Sequence, residues 1–127
     1  MIQTRSEIFS KDNSGIVRGR AVSVKTKITG LGQVFKLSVS KAKSHWTNKQ
    51  KSGGKSKLQD ALLIQTKKSV LRLDGSSVKF NTNGCVMLSR SGSKTGFGFK
   101  RINSSVPFEL KKFLSAGPIF KLAKNQV

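Results

Sequence analysis

The sequence predicts a mainly β protein, a small antiparallel barrel of five or so short strands with one or two short helices towards its C-terminal end. Three observations carry that expectation. Apolar and polar residues alternate through several short stretches before residue 105, the period of a half-buried strand. Turn signals fall between those stretches, the best being Asp74-Gly75-Ser76, because a tight hairpin needs residues that tolerate positive φ. Beyond residue 104 the apolar period lengthens to that of a helix. A chain of 127 residues can bury one real core and is too short for two comfortable domains, so residues 1–127 are read as one.

The elements follow in order. From Ala21 to Ile28, Val22, Val24, Thr26 and Ile28 fall on one face, with Ser23, Lys25 and Lys27 on the other. Gly30-Leu31-Gly32 marks a turn. Phe35, Leu37 and Val39 then alternate with Lys36, Ser38 and Ser40 in a second strand. The run Ala61-Leu62-Leu63-Ile64 is too short for a helix and suits a strand buried on both sides. Val70 to Leu73 and Val78 to Phe80 flank the Asp-Gly turn, and Cys85 to Ser89 makes another strand. Val106, Leu110, Phe113 and Leu114 recur at helical spacing, with Ser104 or Ser105 to cap, Pro107 in the first turn and Gly117-Pro118 as the stop. A second helical turn is expected from Ile119 to Lys124. The Gly, Ser and Lys rich stretches 49–57 and 89–98 read as exposed loops.

Charge is the strongest functional signal. Twenty-five Lys and Arg face five acids (Glu7, Asp12, Asp60, Asp74, Glu109), a formal net charge of +20. So one-sided a balance repels itself, and a dense polyanion such as rRNA, tRNA or DNA is the economical way to cancel it. No run approaches the ~18 apolar residues of a membrane-spanning helix, and no basic stretch has the clean apolar face of an interfacial anchor. A lone cysteine, Cys85, allows no internal disulfide.

Chemistry is hard to build from these residues. The acids are scattered and His45 is the only histidine, whereas acid–base catalysis and metal hydrolysis need clustered groups. Cys85 lies in the apolar run CVML and reads as a small buried hydrophobe. Gly54-Lys55-Ser56 lacks the leading glycine of a phosphate-binding loop, since Lys49 stands there, and Gly92, Gly96 and Gly98 have the wrong spacing for a dinucleotide fingerprint. Neither an enzyme nor a cofactor is expected.

A series of short motifs adds a resemblance. Met1-Ile2-Gln3, Asp12-Asn13-Ser14-Gly15, Gly30-Leu31-Gly32, Thr66-Lys67-Lys68, Asp74-Gly75-Ser76, Phe80, Asn83, Arg101-Ile102, Glu109-Leu110 and Leu122-Ala123 occur in that order along the whole chain. In this order and spacing the chain resembles the family of large-subunit ribosomal protein fourteen. The resemblance implies a five-stranded β-barrel (about 1–103), a projecting β-ribbon (about 41–57) and a C-terminal region of two short helices (about 104–127). It also implies a structural, rRNA-binding protein on the face that meets the small subunit. There such proteins help to bridge to small-subunit rRNA, pair with ribosomal protein nineteen, lie near ribosomal protein three and dock a ribosome-silencing factor. The chain departs from the family at Gly32-Gln33, Ser56-Lys57 and Phe80-Asn81, each of which replaces a usual acid, at Ser104-Ser105, and at Lys100. Its wealth of Lys, Ser, Asn and Phe, and a start aligned with the family's own start, lead us to expect a mitochondrial, organelle-encoded member rather than one of the bacterial cytoplasm or a plastid.

The candidate RNA contacts follow. Lys41, Lys43, His45, Trp46, Lys49, Lys51, Lys55 and Lys57 occupy the expected ribbon, where lysines would neutralise phosphates without reading bases. Trp46 either packs at the ribbon base or stacks on an unpaired base, and packing is preferred. Arg18 and Arg20, Lys25, and the cluster Lys67, Lys68 and Arg72 complete the set. Lys100, Arg101 and Glu109 are the residues expected at a bridge or protein partner. Asp12-Asn13-Ser14-Gly15 reads as structural, a turn whose side chains satisfy backbone donors. The alternative function is a free single-strand-binding barrel, which would display aromatic platforms on its strand faces.

Overall fold

Alternation becomes strands wherever one face can be buried, and here the strands close on themselves. The structure, a computed structural model, describes residues 2–23, 30–51, 56–91, 94–112 and 118–127, with the side chains of 49–51, 90, 91, 94 and 95 left out. Strands β1 (Glu7–Ser10), β2 (Ile16–Ser23), β3 (Val34–Ala42), β4 (Leu58–Gln65) and β7 (Gly84–Ser91) pair in that order, and β1 returns to β7 in parallel to complete a five-stranded barrel. The other barrel pairings are antiparallel. Between β4 and β7, β5 (Val70–Leu71) and β6 (Ser77–Val78) form a small hairpin. Its turn is the Asp-Gly one expected: Gly75 holds φ +84°, and Asp74 Oδ1 accepts from the Ser76 backbone N–H at 2.9 Å and from its hydroxyl at 2.6 Å. A sixth strand, β8 (Lys94–Phe97), pairs with β7.

The barrel is narrow, so its lining must include small residues. Ile8, Ile16, Ala21, Phe35, Leu37, Val39, Ala61, Leu63, Cys85 and Met87 fill it. Gly19 sits between Ile8 and Val39 in register, and a Cβ there would stand 2.4 Å from the Ser38 carbonyl oxygen and 2.8 Å from Leu37 Cγ. The first of these neighbours is backbone and cannot rotate away. Gly19→Ala should therefore cost about 2–3 kcal/mol by overpacking, checked as a fall in the urea midpoint at unchanged slope.

This need for small residues corrects one expectation. Ala21 is buried and Val22 is 45 % exposed, the reverse of the face the alternation favours. The register of β2 against β3 slips between Ala21 and Ser23, consistent with a bulge that turns the strand. Val24, Lys25, Thr26 and Ile28 lie outside the described residues. The β3 expectation holds, with Phe35, Leu37 and Val39 buried and Lys36 and Ser40 exposed.

The lysine-rich stretch is the second correction. Residues Ser44–Lys51 form a helix, α1, rather than part of a ribbon. Only Trp46 is apolar among them, so no strand face exists to bury, while a helix satisfies its own backbone and inserts that one ring. Trp46 is 2 % exposed and joins the barrel core. Gly53 and Gly54, the expected ribbon tip, lie outside the described residues.

The C-terminal part begins with a strand, β9 (Ile102–Val106), so Ser104 and Ser105 sit in a strand and cap no helix. Its partner is β10 (Ala123–Gln126), running parallel, a pairing that the apolar period could not reveal. A 3₁₀ turn at Phe108–Lys112 and the short helix α2 (Ile119–Leu122) lie between them. Phe113, Leu114 and Gly117 fall outside the described residues. Leu62 and Ile64 of β4, with Val86 and Leu88 of β7, form a second core with Phe99, Ile102, Val106, Leu110 and Ile119. Because Ala61 and Leu63 point into the barrel, β4 is buried on both sides, as its unbroken apolar run implies.

Candidate nucleic-acid interface

The second core decides which side of the barrel stays open. The outer face of β4 and β7 lies under the C-terminal segment, which leaves the outer face of β1, β2 and β3. Residues paired across neighbouring strands share a face. Arg20 stands between Glu7 and Ser38, and Arg18 between Phe9 and Lys41. Arg18, Arg20 and Lys41 are all exposed. Lys57, also exposed, flanks the far side of β3, where its carbonyl accepts from Val39 N–H at 3.0 Å. Arg18 Nη1 meets Glu7 Oε1 at 2.8 Å, but both side chains are about half exposed, and such a pair is worth under about 1 kcal/mol. A polyanion could displace it.

Lys43 and His45 border this face at the start of α1. Lys43 N–H donates to the Gly15 carbonyl at 2.8 Å, and the His45 ring lies so close to Gly15 that a Cβ there would be 2.4 Å from Nε2. With φ +97° as well, Gly15 has two reasons to be glycine. The preceding residues form the structural turn expected of them. Asp12 Oδ1 accepts from Ser14 N–H and Ser10 hydroxyl, each at 2.9 Å, and its Oδ2 from Met87 N–H at 2.7 Å. Asn13 Oδ1 accepts from Lys100 N–H at 3.0 Å, which ties that turn to the segment entering β9.

A family model described as ribosomal protein L14p/L23e matches residues 1–127. The chain belongs to the ribosomal protein L14p/L23e family. Membership makes it a structural constituent of the large ribosomal subunit, in a family that is generally non-enzymatic.

For this L14p/L23e member the structure sorts the expected contacts. Arg18, Arg20, Lys41, Lys43 and Lys57 gather around one open face. Lys67 and Lys68 are exposed elsewhere, beside the β5–β6 hairpin, where Lys67 N–H donates to Asn83 Oδ1 at 2.9 Å. Trp46 packs in the core, so its ring has no face for a base. Cys85 is buried, and burial pushes its thiol well up from the ordinary range. Lys25 and Lys55 lie outside the described residues, and Lys49 and Lys51 lie on α1 with their side chains outside them. Lys100 and Arg101 are exposed.

Arg72 is occupied within the molecule rather than free for RNA. Its Nε meets Glu109 Oε1 at 2.5 Å, and Nη2 donates to the Val127 carbonyl at 2.7 Å. Glu109, expected at a partner surface, is thus the anchor that holds the hairpin to the 3₁₀ turn. The hydrogen bond from Arg72 holds the Glu109 carboxyl below its ordinary value of 4.5, overcoming the opposing effect of burial. A carboxyl depressed in the folded state stabilises it above its unfolded value and loses that contribution as pH falls through the folded one. Lowering the pH from about 6 to 3 should therefore destabilise the native protein more than it destabilises Glu109→Gln, as followed by urea unfolding.

One residue of the face was not legible. Arg5 adopts φ +70°, in the left-handed region, with its N–H donating to the Ala21 carbonyl at 2.8 Å. Nothing in MIQTRS signals it, because the usual markers of that conformation are glycine and asparagine.

Proposed function

We propose that the protein binds large-subunit rRNA through the outer face of β1, β2 and β3, acting as a fixed positive surface with no chemistry of its own. One observation carries this reading: Arg18, Arg20, Lys41 and Lys57 stand exposed on the side of the barrel opposite the apolar wall that the C-terminal segment covers. Flexible lysines and forked arginines suit phosphates and fix position without reading sequence. Lys67 and Lys68 supply a second contact. The family's known setting extends the reading to a bridge with small-subunit rRNA at Lys100 and Arg101, to ribosomal proteins nineteen and three as neighbours, and to a ribosome-silencing factor as an occasional partner. Composition supports a mitochondrial ribosome as the host particle.

A free single-strand-binding barrel would need exposed aromatic platforms on its strand faces, yet Phe35 and Trp46 are each 2 % exposed, Phe9 on the open face is half-buried, and the exposed Phe108 lies on the 3₁₀ turn rather than on a strand. Sucrose-gradient fractionation of a native extract separates the two functions. Co-migration with large subunits that persists in moderate salt is expected, and a protein found only in the unbound fractions at the top would overturn the proposal.

A further inference from the structure

We propose that a groove beside Arg5 cradles the sugar–phosphate backbone of an unpaired rRNA strand. This rests on the rRNA reading above and names the form of RNA that this part of the face takes. The groove holds about 640 Å³. Arg5 stands on one rim, Lys57 on the other and Arg20 between them, with Val22, Ser38 and Ser40 also in its lining. Among the described residues no acid lines it, and Glu7, which stands opposite Arg20 in the β1–β2 ladder, is paired with Arg18.

The backbone of Arg5 points the same way. A left-handed conformation costs a non-glycine residue roughly 1–2 kcal/mol, and strain of this kind gathers at functional sites. Here it is held by a run of backbone hydrogen bonds. Arg5 N–H donates to Ala21 O at 2.8 Å, Ala21 N–H to Ser6 O at 3.1 Å, and Ser6 N–H to Gln3 O at 3.1 Å. Glycine would fit that backbone without strain, so the arginine sits here at a conformational cost.

The shape selects a strand over a duplex. Arg5 abuts the outer side of β2 and Lys57 the outer side of β3. Three inter-strand steps of ~4.8 Å place the rims roughly 14 Å apart. A single backbone can lie between them, with phosphates on the cations and riboses over the hydroxyls and the Val22 methyls. An A-form duplex is convex, with a wide, shallow minor groove, and would rest on the rims and leave the floor empty. Among the described residues no aromatic side chain lines the groove, so the bases face outward and go unread.

The test uses the full chain and two fluorescent probes, an oligouridylate of about ten nucleotides and a blunt RNA duplex of similar length. Arg5→Gly removes the charge while relaxing the backbone, so loss of folding cannot mimic the effect, and Arg5→Lys restores a cation. Arg5→Gly should weaken oligouridylate binding roughly tenfold and lower its salt slope by about 0.7, with the duplex changed less than about twofold. Arg5→Lys should recover most of the loss. Equal weakening for both probes, or none for oligouridylate, overturns the cradle. A wild-type protein indifferent to both probes overturns the rRNA reading itself, an outcome distinct from the other two.

Discussion

Replacing Arg18, Arg20, Lys41 and Lys57 together with alanine is expected to lower the slope of log affinity against log salt for rRNA fragments by about 3. Each phosphate contact contributes roughly 0.7–0.9 to that slope through released counterions. At about 0.1 M salt the same variant should bind 10²–10³-fold more weakly, since four charge-assisted contacts vanish together. The fold should survive, because all four side chains are exposed and the Arg18–Glu7 ion pair is itself half-exposed. Far-ultraviolet circular dichroism provides that control. An unchanged slope would move the contact to another part of the surface, with Lys67 and Lys68 the next place to look.

Trp46→Ala carries the largest expected loss of stability, about 3–5 kcal/mol. The ring is the one apolar group of α1 and is almost wholly buried against the barrel core. Its removal leaves a void that Ile16 and Met87, members of the same core, cannot fill without leaving their own packing. For a domain of this size the melting temperature should fall by more than about 10 °C. Trp46→Phe should recover much of it and leave the salt slope of RNA binding unaltered. A stable Trp46→Ala that had lost RNA affinity would instead make the tryptophan an interface residue.

How much of this was legible follows from what each pattern measures. The β4 run Ala61–Ile64 announced burial on both sides because no polar residue interrupts it, and the Asp74-Gly75 turn announced itself by chemistry. The β2 face was misread since counting apolar bulk favours Val22, whereas closing a narrow barrel favours Gly19 and Ala21 inside. Ser104 and Ser105 were misread for another reason. A parallel partner twenty residues away, at β10, leaves no local trace. In the site, the surplus of cations was plain from composition, but which of them share a face was not. That depends on the C-terminal segment covering β4 and β7, and on an arginine at position 5 in a conformation its residue type does not advertise. The ion pair of Arg72 with Glu109 left no trace in the sequence because it spans 37 positions.

The shared wall of β4 and β7 has a consequence for how the molecule comes into being. The segment from Ile102 onward is made after the barrel strands, so until it arrives a nascent polypeptide lacks the cover of Leu62, Ile64, Val86 and Leu88. Such an intermediate, greasy on one flank and cationic on the other, is prone both to clump and to seize stray nucleic acid. Arrival of the later segment quenches the first hazard and leaves the charged flank of β1, β2 and β3 open for docking.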